Sequence, residues 1–247
     1  MTAELAYAKM RSIAADSEGG ALLRRSWLPV AASGELTESS PILSVRVLDE
    51  GLVLFRAGNG EVGLMQERCP HNGYHLAGSS VDENSLVCWK HGWNFGIDGA
   101  CWVVGYQGKT WPVQWANAKV YPVHSWGGLL WSYLGSEPPP EFSHPSIPAD
   151  LIGIETVAVT GVQPLNWMDS LALAVNDGHE LIAPCHSARP GMLMLRLPVD
   201  EEHTWILAVG RPSERAAAKA QIELDGRDGV ADIKPEARER VLDALKY

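Results

Sequence analysis

Cys69-Pro70-His71, the sixteen residues 72–87, then Cys88-Trp89-Lys90-His91-Gly92-Trp93: these segments decide how the rest of the chain is read. Each places one thiol beside one imidazole. The chain has four cysteines, at 69, 88, 101 and 185, and thiols beside histidines in a chain with no export signal point to metal before disulfide. A common zinc finger keeps its cysteines in one pair and its histidines in the other, whereas here both pairs are mixed.

Two mixed pairs on facing loops suit a [2Fe–2S] cluster with one iron on two thiolates and the other on two imidazoles. Neutral imidazole removes negative charge and raises the reduction potential above that of an all-cysteine centre. Cys69, His71, Cys88 and His91 are therefore the expected ligands. Pro70 stiffens the first loop. Gly73 and Gly92 are expected to let backbone N–H groups approach the sulfides, and Trp89 and Trp93 to shield the site from water.

Working outward, the 247 residues suffice for one large domain or two modest ones, and 46% apolar content is that of a globular chain. Thirty acidic residues against twenty basic leave a net charge of -10, which excludes a nucleic-acid surface; Arg24-Arg25 is too short a basic cluster. The acidity suits a cytoplasmic protein that docks a basic redox partner. No apolar run has the length of a membrane span, and the first residues lack the pattern of a signal peptide.

Residues 3–15 are rich in helix formers, and Gly19-Gly20 is expected to stop that helix. From Trp27 to Tyr133 short β-type runs alternate with turn signals at Asp49-Glu50-Gly51, Gly58-Asn59-Gly60 and Gly96-Ile97-Asp98-Gly99, predicting a small antiparallel β domain. Pro138-Pro139-Pro140, Pro145 and Pro148 mark a boundary. Beyond it the pattern predicts a strand over 154–159, a helix over 166–181 weakened at Gly178, strands over 193–197 and 204–209, and a helix over 235–245. The division expected is 1–21 (helical segment), 22–137 (cluster domain) and 150–247 (second domain).

Cys-X-His followed by Cys-X-X-His-Gly-Trp resembles the Rieske signature. The flanks Arg24 to Val30, Tyr121-Pro122-Val123 and Gly127 to Trp131 resemble the aromatic-ring-hydroxylating Rieske non-heme iron oxygenases, particularly the phthalate dioxygenase-like branch. The likeness covers about residues 22–135. Two positions depart from the family pattern: Asn72 stands where Arg is usual, and Lys90 where Tyr is usual. A cation at 90 would raise the potential of a neighbouring cluster.

The resemblance implies an α+β fold, with a β-sandwich-type Rieske domain followed by a truncated helix-grip-like domain. It also implies a second centre, a mononuclear Fe(II) on two histidines and an aspartate. Counting from Asn166-Trp167, His179 falls at the first ligand position, and Asn176 where a bridging Asp belongs, with Asp177 beside it as the catalytic candidate. The second histidine is expected five residues on, at Pro184; His186 comes two residues late, beside Cys185. Asp225, Asp228 and Asp232 are candidates for the third ligand.

About a hundred residues follow the boundary, against about two hundred in the family, as if part of the pocket wall were deleted. Two functions stay open. One is an oxygenase component, fed by a reductase or ferredoxin, that hydroxylates or demethylates a small, aromatic substrate and assembles as a homotrimer. The other is an electron-transfer or auxiliary subunit without its own mononuclear iron, in complex with a full oxygenase subunit. A structural zinc module is a distant third.

Overall fold

The computed structural model describes residues 2–152, 157–182, 184–214 and 233–245. It divides into two compact units, one of Pro29–Pro140 and one of Met1–Leu28 with Glu141–Tyr247.

The Pro29–Pro140 unit is built of antiparallel strands. β1 (Trp27–Ala32) lies beside β12 (Leu129–Tyr133), which pairs with β11 (Val123–Trp126). A second sheet runs β10 (Val120–Tyr121), β4 (Val62–Gln66), β3 (Glu50–Arg56), β2 (Ile42–Val47). A third runs in sequence order through β5 (Ser80–Val81), β6 (Ser85–Val87), β7 (Trp93–Gly96), β8 (Cys101–Val104) and β9 (Thr110–Pro112). Val53, Phe55, Met65, Leu76, Leu86 and Phe95 fill the core, and Cys69, Cys88 and Cys101 belong to the same cluster. The ligand loops thus spring from a packed interior.

The turns at 58–60 and 96–99 form as expected, with Gly60 and Gly99 at positive φ. The β2–β3 turn falls earlier than Asp49-Glu50-Gly51. Leu48 and Asp49 take φ of 50° and 65° while Glu50 and Gly51 enter β3. The type I′ hairpin turn formed here takes positive φ at both central residues, and burial of Leu48 at 1% exposure holds a residue there that local preference would not choose.

In the other unit, α1 (Ala3–Arg11) is capped by Thr2, and the chain restarts as α2 (Glu18–Arg24) from a Ser17 cap. Gly19 and Gly20 therefore lie inside a helix, contrary to expectation. A Cβ at Gly19 would sit 2.1 Å from the Met10 carbonyl oxygen, and one at Gly20 1.9 Å from that of Ala14. These glycines serve close packing against the preceding turn, not helix termination.

The sheet of this unit runs β13 (Val157–Gln163), β17 (Thr204–Gly210), β16 (Met192–Pro198), β15 (His186–Arg189), β14 (Glu180–Ile182), all antiparallel. The helix α3 (Trp167–Asn176) packs on β14, β15 and β16 and against α1 and α4 (Pro235–Ala244), and its residues 167–175 are buried on every side. It stops sooner than the predicted Leu181. Gly178, at φ +84°, donates to the Val175 carbonyl and His179 N–H to that of Ala174, at 3.0 and 2.9 Å. This pair of bonds around a left-handed glycine closes a helix end and turns the chain into β14. The expected strands over 193–197 and 204–209 and the helix over 235–245 form; the start of the strand over 154–159 lies outside the described residues. Among the described residues no helix is long and apolar enough to cross a membrane.

Candidate metal centre

The two ligand loops are closed alike. In the first, Cys69 N–H donates to the Tyr74 carbonyl and Gly73 N–H to that of Cys69, both at 2.8 Å. In the second, Cys88 N–H donates to the Trp93 carbonyl at 2.8 Å and Gly92 N–H to that of Cys88 at 2.9 Å. Gly73 and Gly92 take φ of +72° and +68°, with open space where a Cβ would stand. The turn needs their backbone freedom, and their own N–H groups close the loops.

The donors facing sulfur are others. Burial, with the adjoining Cys88 thiol, pushes the Cys69 pKa up, against backbone N–H groups of His71 and Asn72 that bond its sulfur. Cys69 and Cys88 are 3% and 1% exposed, and all four cysteines are free. Two thiolates this close and this buried call for a cation that takes both. Cys101 lies close enough to Cys69 that burial and the Cys69 charge lift it to about 11.

The imidazoles converge as well. The His71 and His91 ring centroids are 4.8 Å apart at 65°, His71 is half-buried, and its buried Nδ1 has no hydrogen-bond partner. Trp93 stacks on His71 at 3.9 Å and 5°, excluding water from that face as expected. Trp89 does not: it is 53% exposed, and its indole N–H instead reaches the His75 carbonyl at 3.0 Å, tying one loop to the other. Lys90 Nζ lies 5.1 Å from the Tyr74 ring and 5.5 Å from that of Trp89. Among the described residues no three His, Cys, Asp or Glu side chains gather as around a single ion. A binuclear cluster asks for a thiol pair and an imidazole pair, and this arrangement provides both.

The second centre is built differently. His179 and His186 are 0% and 2% exposed, the first just past α3 and the second opening β15. Near both lies a side chain that the sequence patterns did not single out, Arg196 of β16, 1% exposed. Its Nε donates to Ser170 Oγ at 2.9 Å and its Nη1 to Ser187 Oγ at 2.8 Å; Ser187 Oγ is 3.3 Å from His179 Nδ1. The Arg196 backbone N–H donates to His186 Nδ1 at 3.1 Å, and the Cys185 thiol donates to its carbonyl at 3.2 Å. Burial, with Arg196 second, lowers His179 to about 4 and His186 to about 3. The signal for Arg196 was one charge in an apolar run, Met192-Leu193-Met194-Leu195-Arg196-Leu197.

Asp177 is exposed at the C-cap of α3, and the Asn176 side-chain oxygen is buried without a partner. Asp225, Asp228 and Asp232 lie outside the described residues. A cavity of about 370 Å³, lined by Ile147, Pro148, Leu181, Ile182, Ala188 and Arg189, flanks the segment from Gly178 to Glu180.

Residues 26–121 match the family described as the Rieske [2Fe-2S] domain. The chain is 33% identical over 175 residues to the 5,5'-dehydrodivanillate O-demethylase oxygenase subunit of Sphingobium, covering 69% of this chain and 41% of that protein. It is 29% identical over 213 residues to the phthalate 4,5-dioxygenase oxygenase subunit of Pseudomonas putida, covering 84% and 46% respectively. The chain thus spans less than half the length of these curated relatives. Its fold is like that of dicamba monooxygenase bound to dicamba, with a TM-score of 0.65 at 16% identity over 91% of this chain and 96% of the other.

Proposed function

We propose, from the premise that the chain belongs to the Rieske non-heme iron oxygenase family, that it carries single electrons in such an oxygenase system through a [2Fe–2S] cluster held by Cys69, Cys88, His71 and His91. The observation that carries the reading is the meeting of two buried thiols and two imidazoles on two loops of like closure. When bound, the cluster supplies reversible one-electron transfer at a potential raised by its imidazole ligands.

The chain's own residues do the rest. The His71 and Asn72 N–H groups bond the Cys69 sulfur and partly offset the burial that pushes its pKa up, so that a bound cluster would find donors already in place for its thiolate. The core behind Cys69, Cys88 and Cys101, with Trp93 over His71, keeps water from the sulfur side. His91 stays exposed, so its imidazole is the edge at which a bound cluster would meet an electron partner. The electron source is a reductase or ferredoxin. The destination is O2-dependent hydroxylation or demethylation of a small, aromatic substrate, as the names of the relatives suggest. The buried Arg196 beside His179 and His186 favours a second reading, in which the oxygen chemistry occurs on a full oxygenase subunit and this chain is its electron-transfer partner.

Anaerobic purification with iron, acid-labile sulfide and EPR of the reduced protein tests the cluster. Coloured protein with about two irons and two sulfides per chain is expected, and Cys88→Ser should lose both colour and sulfide. Colourless wild-type protein with zinc in place of sulfide refutes the reading.

A further inference from the structure

We propose, resting on the second reading above, that Arg196 occupies the place of the second iron: its buried guanidinium and backbone, and no divalent metal, organise His179 and His186.

The lone pairs come first. His186 Nδ1 accepts the Arg196 backbone N–H at 3.1 Å, so the ring, held neutral in its buried site, carries its proton on Nε2. To bind a metal through Nε2 the proton would have to move to Nδ1, where it would meet the Arg196 N–H, donor against donor. With the Cys185 thiol on the Arg196 carbonyl, the two side chains close both backbone groups of Arg196 beyond the paired stretch 187–189 of β15. His186 is a backbone acceptor within the sheet.

Charge points the same way. Among the described residues, the hydrogen-bond partners of the Arg196 side chain are neutral, namely Ser170, Ser187 and Met194. The buried acid of α3, Asp169, is taken by Arg11 and the Tyr7 hydroxyl. A divalent ion here would add positive charge to a desolvated permanent cation, which a metal site avoids. Among the described residues, His179 Nε2 and the Asn176 side-chain oxygen are buried without a partner, and of the two only the imidazole is an ordinary iron ligand. A single imidazole beside a guanidinium makes a poor cage for Fe(II), which is held by two histidines and a carboxylate where such sites work. Among the described residues no third His, Cys, Asp or Glu joins the pair.

The test is anaerobic loading of the holoprotein with excess Fe(II), removal of loose iron, then iron and sulfide counts with Mössbauer spectra. The expected result is about two irons per chain, all with cluster parameters, unchanged in His179→Ala and in His186→Ala. An additional high-spin Fe(II) signal that vanishes in either variant would overturn the proposal. Sulfide is counted separately, so failure of the cluster reading shows as missing sulfide whatever the Fe(II) result. Long-range ¹H–¹⁵N spectra of the histidine rings near neutral pH need no variant. The Nε2–H tautomer is expected for His186, and an Nδ1–H tautomer counts against the proposal.

Discussion

A permanent charge near a redox centre acts through distance and dielectric. Lys90 stands one residue before His91, pinned over Tyr74 and Trp89. Replacing it by Gln should lower the midpoint potential by something on the order of a few tens of millivolts, the size of one partly screened charge, while iron content stays constant. Protein-film voltammetry of the two proteins at one ionic strength decides it; equal potentials refute the electrostatic role. His179 and His186 bear on stability instead. Their folded values of about 4 and about 3 lie below the ordinary 6.5, so the unfolded chain takes up protons first as pH falls. Their contribution is fully present above about pH 6.5 and fades as pH drops toward the folded values, by up to about 1.4 kcal/mol for each tenfold difference in proton affinity between the folded and unfolded chain. Urea midpoints measured from pH 7 to pH 4.5 should fall, and fall less in His179→Gln.

At the scale of elements, α3 sets where both histidines go. Its end at Gly178 turns His179 off the helix, so a count of five residues along a helix does not apply to the second histidine. Gly178→Ala forces a side chain into the left-handed region and should cost about 1 kcal/mol, read as a lower urea midpoint with unchanged slope. Gly20 is more demanding. Gly20→Ala places a Cβ 1.9 Å from the Ala14 carbonyl oxygen, so backbone must move, and a larger loss than at Gly178 is expected in the same titration. Equal losses at the two sites would mean that the backbone at Ala14 yields easily to a methyl group.

In the whole molecule, chemistry gathers in the Pro29–Pro140 unit, where the ligand thiols are part of the core itself. Losing the cluster should therefore loosen β4 and β7, the strands beside the ligand loops, while β16 and β17 keep their protection. Hydrogen exchange with and without iron measures this, and a uniform loss along the chain argues against it. Under the proposed function, the net charge of -10 and the exposed His91 edge predict that reduction by a donor with basic groups slows as salt rises.

The candidate cluster ligands stood out in the sequence because a thiol and an imidazole at fixed short spacing carry their chemistry locally, whatever lies around them. Short strands and glycine turns were legible for the same reason, and they sufficed for the antiparallel β domain, while the α+β whole followed from the family resemblance. Which amides face sulfur, why Gly19 and Gly20 sit inside a helix, and what surrounds His179 and His186 were decided by contacts between distant segments. Arg196 meets His186 only because β15 and β16 pair and Ser170 only because α3 lies across them. Burial then removes the water that would otherwise have made that charge unimportant.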